Sequence, residues 1–302
     1  MLPSFVSFSG LYSGYLRRCF TGSGLFSQKI DIDNETSLHV WGPTDQSTHK
    51  QSLVLIHGFG PTAIWQWRQQ VQFLAPHFNL YVPDLIFFGE STTRSEKRCE
   101  QFQAASVAKL LEKLGLKKCH VAGTSYGGIV AYNLAKILGE DKIEKVVICS
   151  SGVNMTKNHN VKLLERAGVE KIEDLMLPTS PQSLRKLMTL AVAKRIAFMP
   201  DFLLNDFLNK LYTENRKEKM ELLRGLSLGK IDTSNISPLQ QEVLIIWGED
   251  DKIFPVQMAH ELKEVISKKA RIELIKEASH VPQTEKPEEF NNIILNFLRS
   301  SS

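Results

Sequence analysis

No run of eighteen apolar residues occurs in the 302-residue chain, so nothing in it reads as a membrane-spanning helix. Cysteine is scarce: Cys19, Cys99, Cys119 and Cys149 are scattered, and no two are spaced as C-x-x-C. That excludes a disulfide framework and a cysteine-based zinc site, and it points to a reducing compartment, with the cytoplasm as the expected location. H-E-x-x-H, H-x-x-x-H, a P-loop and a strand-borne G-x-G-x-x-G are all missing, so no metal or nucleotide cofactor is expected. Low-complexity linkers and internal repeats are missing too. Basic residues outnumber acidic ones by only 37 to 33, and no Lys/Arg cluster is interleaved with aromatics. A nucleic-acid partner is therefore not expected.

What is present is the composition of a globular protein with a sizeable core: 42% hydrophobic and 23% charged residues. Short apolar runs alternate with longer amphipathic ones. Residues 29–43 read as a hairpin, and SLVLIHG (52–58), FNLYVPDL (78–85), CHVAG (119–123), KIEKVVICSS (142–151), EVLIIWGEDD (242–251) and RIELIK (271–276) read as strands. Helical patterns fall between them and close the chain in PEEFNNIILNFLRS. That order predicts an α/β class, a mostly parallel central sheet flanked by helices.

Two stretches break the alternation. Between about 153 and 232 the strand signal vanishes in favour of helical periodicity interrupted at Pro178, Pro181 and Pro200. This predicts a helical cap inserted into a core made of 29–152 and 233–302. The first 28 residues are rich in Ser, Gly and aromatics, and no acid precedes Asp31. They read as an aromatic-rich leading helix folded over the core, while their Arg17 and Arg18 also suit an organelle transit segment.

Chemistry concentrates at the carboxyl ends of the strands, where doubly wound sheets bind ligands. His57-Gly58-Phe59-Gly60, Asp84, Ser125, Asp251 and His280 all fall there. GTSYGG sets Ser125 between Gly123 and Gly127 at a strand-to-helix turn, the layout of a nucleophile elbow. A serine needs a base, and the base needs an orienting group. Of eight histidines, His280 follows the last strand in a loop able to reach back to Ser125, whereas His57 is expected to brace its own turn. Asp251 is the favoured carboxylate and Asp250 the alternative. Backbone N–H groups of Phe59 and Tyr126 are the expected oxyanion donors.

With HGFG, PDLIFFGES, GTSYGG, WGEDDKIFP and SHVPQTEKPEEF in this order, the chain from about 30 to 299 resembles the α/β-hydrolase superfamily. Within it, the chain is similar to capped plant hydrolases of the monoacylglycerol-lipase kind. The resemblance implies a serine hydrolase with the triad Ser125, Asp251 and His280, acting on a small ester or lipid-like substrate without a cofactor. Where relatives commonly read D-x-P-G-F-G-x-S, this chain has Asp84-Leu-Ile-Phe-Phe-Gly-Glu-Ser91. Phe87 in place of glycine implies a narrower or more apolar pocket. Epoxide hydrolases and dehalogenases of similar fold carry Asp at the elbow, and HGGG esterases have a different oxyanion loop. C–C bond hydrolases share the triad and an HGxGPG segment, but Thr62 stands where they have glycine. A non-catalytic binding protein on the same fold is the remaining alternative.

Overall fold

A computed structural model describes residues 7–194, 199–233 and 236–300. Met1–Val6, part of the segment read as transit-like, lies outside the described residues.

After α1 (Phe8–Gly22), the hairpin forms from β1 (Phe26–Asp31) and β2 (Thr36–Gly42), with Ile30 opposite Leu38. The Asp33 carboxylate closes its turn by accepting the Glu35 and Thr36 N–H groups. Then follow β3 (Ser52–Ile56), α2 (Ala63–Leu74), β4 (Asn79–Pro83), the short β5 (Thr92–Thr93), α3 (Glu100–Lys113) and β6 (Cys119–Thr124). Helix α4 (Tyr126–Lys142), whose run breaks at Gly139, leads into β7 (Ile143–Cys149). The chain ends with β8 (Glu242–Gly248), α10 (Val256–Ile266), β9 (Ala270–Ile275), α11 (Pro282–Glu285) and α12 (Pro287–Arg299).

The sheet runs β1-β2-β4-β3-β6-β7-β8-β9, with β5 beside β2. From β4 through β9 every pairing is parallel; only those of β2 are antiparallel. Strands β3, β4, β6 and β8 are buried along their whole length, as strands covered on both faces must be. One apolar layer lies on the α3, α4 and α10 side, around Val107, Val130 and Leu262. The other lies under α1, α2 and α12, around Phe20, Trp67 and Phe290.

Between β7 and β8 come α5 (Lys157–Ala167), α6 (Ile172–Met176), α7 (Pro181–Ala191), α8 (Asp201–Leu211) and α9 (Arg216–Gly225). Of the three expected breaks at proline, Pro178 lies in the link between α6 and α7, while the other two stand at helix starts. Pro181 opens α7 behind a Ser180–Ser183 capping box, and Pro200 caps α8. This block has its own small core of Leu163, Leu184, Leu187, Leu204 and Leu208, which also takes in Ile253.

The expected strands at 52–58, 78–85 and 242–251 are each trimmed at the carboxyl end. His57, Asp84 and Glu249 leave the ladder because they begin the loops that carry the polar residues. The leading helix does form, and Asp206 of α8 accepts the Ser9 N–H at 2.6 Å.

Candidate active site

Ser125 sits between the last residue of β6 and the first of α4 with φ 52° and ψ −121°. A non-glycine residue there is strained, and the strain is held by three bonds on its backbone. Its N–H donates to the Cys149 carbonyl at 2.8 Å, and its carbonyl accepts from Gly128 N–H at 3.0 Å and from the Ser151 hydroxyl at 2.6 Å. The flanking glycines have a steric cause. A Cβ at Gly127 would run into the Ile56 carbonyl, and one at Gly123 into the carbonyl of Gly127. Strand and helix meet too closely for any side chain.

Facing Ser125, His280 comes from the loop between β9 and α11. Ser125 Oγ donates to His280 Nε2 at 2.9 Å, and His280 Nδ1 donates to Asp251 Oδ2 at 3.0 Å. The second Asp251 oxygen accepts the Ile253 and Phe254 N–H groups at 2.8 and 2.9 Å, which fixes the carboxylate's orientation. Asp251 and His280 are buried, and the Phe254 ring packs edge-on against the imidazole at 5.3 Å. Asp250, the alternative acid, points to solvent and contributes only its backbone, donating to Ala278 and accepting from Ser279. The two neighbours diverge because the turn after β8 sends successive side chains opposite ways.

Tyr126 is the first residue of α4, so its N–H has no acceptor within the helix and stands at the positive end of the helix dipole. The Phe59 loop is braced from two sides. His57 Nδ1 donates to Gly58 O at 2.8 Å while its Nε2 accepts the Leu85 N–H at 2.9 Å. Both ring nitrogens are thus engaged, and burial holds the imidazole below the ordinary histidine range. Gln66, which sequence reasoning did not single out, clamps the same loop by accepting from Gly58 N–H and donating to the Gly58 and Pro61 carbonyls.

A cavity of about 230 Å³ opens onto Ser125 and His280. Its walls join the loop after β3 (Phe59) and the start of α2 (Trp65, Gln66) to the inserted block (Met176, Leu187, Tyr212). Tyr212 was also missed; burial pushes its phenol up to about 12, which keeps it a hydrogen-bond donor at neutral pH. Phe87 is not among the lining residues, a departure from the expected pocket wall. Its ring lies under the Arg98 guanidinium at 4.5 Å, and its carbonyl accepts from Asn215. Its φ is 75°, the left-handed region. At this φ a glycine would answer a backbone need rather than a need for pocket space, and Phe87 bears a strain of about 1 kcal/mol.

Asp84 is also redirected. It accepts from His39 Nδ1 at 2.8 Å and from Ala63 N–H at 2.9 Å, tying β2 to the start of α2 rather than facing Ser125. Among the described residues no cluster of three or more metal-binding side chains occurs.

The family model for the alpha/beta hydrolase fold matches residues 51–287. The chain belongs to the α/β-hydrolase family. Human monoacylglycerol lipase ABHD6 is 29% identical over 276 residues, covering 83% of this chain and 76% of its own length. The 2-hydroxy-6-oxononadienedioate/2-hydroxy-6-oxononatrienedioate hydrolase of a Pseudomonas species is 25% identical and spans 92% of this chain and 97% of its own. In fold, a putative lipase from Acinetobacter baumannii AYE superposes with a TM-score of 0.80 at 22% identity, covering 95% of both chains. These relatives are hydrolases, and they include both the lipase and the oxo-dienoate hydrolase types that the sequence left open. No helix among the described residues is long and apolar enough to cross a membrane.

Proposed function

We propose that the protein is a serine hydrolase that cleaves carboxylic esters through an acyl-enzyme on Ser125. The observation that carries this reading is the relay of Ser125, His280 and Asp251 at 2.9 and 3.0 Å, opening into a mainly apolar cavity beside a helix N-terminus. Ser125 Oγ attacks the ester carbonyl carbon as His280 Nε2 takes its proton, and Asp251 stabilises the resulting imidazolium. The oxyanion is held by the N–H groups of Tyr126 and Phe59, and collapse of the intermediate expels the alcohol, protonated by His280. Water, deprotonated by the same imidazole, then attacks the acyl-enzyme, and its collapse returns the proton to Ser125.

Helices α5–α9 act in this reading as a cap whose α6, α7 and the residue after α8 wall the acyl side. At about 230 Å³ the cavity lies below the roughly 300–1,000 Å³ of drug-sized sites, which favours a short acyl group. The kinship to monoacylglycerol lipases supports a lipid-like alcohol. The four free thiols, two of them buried, fit a reducing compartment such as the cytosol.

Cleavage of a C–C bond in a 2-hydroxy-6-oxo-dienoate is favoured by the end-to-end match to the Pseudomonas hydrolase. Against it, among the described residues no lysine or arginine lines the cavity to meet the carboxylates of such a substrate. The test is a p-nitrophenyl ester series from acetate to palmitate on wild type and Ser125→Ala, run beside a 2-hydroxy-6-oxo-dienoate. Ester turnover that peaks at short chains and vanishes in the variant is expected. Turnover of the dienoate alone would replace the ester reading, and turnover of neither by folded protein would leave a binding role.

A further inference from the structure

We propose that α1 is a docking surface for an anionic phospholipid bilayer, which brings lipid molecules to the Trp65 edge of the cavity. Docking is argued from the helix alone; only the purpose of delivery rests on the ester-hydrolase reading.

Helix α1 has two apolar faces where a surface helix ordinarily has one. Leu16 and Phe20 are buried in the layer beneath α2, and Ser9 is tied to Asp206 of α8. On the opposite side Phe8, Leu11, Tyr12 and Tyr15, at the i, i+3, i+4, i+7 spacing of one helical face, are exposed, Leu11 by 66%. Only ten large apolar side chains are exposed among the described residues; these are four of them, and a fifth, Phe202, sits one turn before Asp206. The stripe continues into Arg18, exposed three residues beyond Tyr15. The Arg68 guanidinium lies 5.9 Å over the Tyr15 ring, and Arg17, paired with Glu90, lies over Trp41. The helix itself contains no acidic residue.

Apolar and tyrosine side chains on one stripe with arginines at its end describe a helix lying in a bilayer interface. Charge selects the occupant. A second copy docking isologously would set like basic groups against each other, whereas an anionic headgroup layer complements them. The stripe also leads somewhere. Tyr12 packs edge-on against Trp65 at 5.0 Å, Trp65 packs against Phe207 of α8 at 5.8 Å, and Trp65 lines the cavity that holds Ser125. An aromatic path thus joins the outer face of α1 to the site.

The experiment is co-sedimentation of the full chain, carrying Ser125→Ala to prevent turnover, with vesicles of phosphatidylcholine alone or mixed with phosphatidylserine. Binding to the mixed vesicles is expected. It should weaken at least about tenfold in Phe8→Ser/Leu11→Asp, and about fivefold in Arg18→Gln. In the Ser125 background these variants should keep the wild-type circular dichroism spectrum and p-nitrophenyl butyrate turnover while losing turnover of vesicle-borne monoacylglycerol. No binding to either vesicle would overturn the proposal, as would binding indifferent to the α1 variants. Self-association in analytical ultracentrifugation that Leu11→Asp abolishes, without vesicle binding, would assign the face to a second copy instead. If no ester is turned over but vesicle binding still responds to α1, docking stands and the ester-hydrolase reading falls.

Discussion

The molecule contains two Ser–His–Asp relays of nearly the same dimensions. In one, Ser125, His280 and Asp251 are linked at 2.9 and 3.0 Å; in the other, Ser27, His39 and Asp84 are linked at 2.8 and 2.8 Å. Distances alone do not separate them. Surroundings do. Ser125 is held at φ 52° with an unpartnered helix N-terminus beside it and a cavity in front. Ser27 lies on strand β1 at the sheet's margin, opposite Trp41, with no helix opening after it. Its histidine is bound into the fold: the His39 N–H donates to Ser91 Oγ, its carbonyl accepts from Asp84 N–H, and its ring packs on Trp41. Ser91 Oγ in turn donates to Asp84 O, so this second relay rivets β2 to β4 and α2. A polarised hydroxyl becomes a nucleophile only where the charge it creates has somewhere to go.

The sharpest way to break this comparison is to remove each serine. Ser125→Ala should cut kcat for p-nitrophenyl butyrate by about a millionfold, while Ser27→Ala leaves it within about twofold. A fluorophosphonate probe followed by peptide mass spectrometry should mark Ser125 and leave Ser27 bare. The acids come next. Asp251→Asn should lower kcat about ten-thousandfold by releasing His280 from its working tautomer, with little change in melting temperature. Asp84→Ala should do the reverse, costing about 3 kcal/mol of stability in urea denaturation because His39 and the Ala63 N–H lose a buried partner, with kcat per folded molecule nearly kept.

A smaller effect belongs to His120, buried on β6 with only Nε2 partnered, by Gln51. Burial lowers its pKa from 6.5 to about 4. The unfolded chain therefore takes up a proton near pH 6.5 that the folded chain refuses until about pH 4. Stability from this group is complete above pH 6.5 and is lost as pH falls towards 4, by up to about 3 kcal/mol. His120→Gln should flatten the melting-temperature profile across that interval.

The elbow was legible in the sequence because its glycines have a steric cause that any chain with this turn must obey. The parallel sheet was legible because strands covered on both faces read as unbroken apolar runs. Asp251 was favoured with Asp250 left as the alternative, since adjacent residues on one turn differ only in where the turn aims them. Phe87 misled because one glycine can mark either an absent side chain or a positive φ, and here it was φ. The His39–Asp84 rivet left no local signature, its partners lying in different strands. Gln66 had a faint one, a polar residue on a helix face turned towards the HGFG loop. Two-residue β5 was too short to show any pattern.

The inserted helices also touch the loop that carries His280. The His280 N–H donates to the Ala191 carbonyl at 3.1 Å, Ser279 Oγ donates to the Leu190 carbonyl, and the Glu285 carboxylate accepts both Ser279 N–H and Ala193 N–H. The end of α7 is stitched to the loop that carries the imidazole. Any swing of α7 away from the sheet must either tear those bonds or drag His280 from Ser125, so on that side opening and disarming are one movement. The imidazole is thus set from two sides at once, by the inserted helices and by the sheet, as a keystone is held by both halves of an arch.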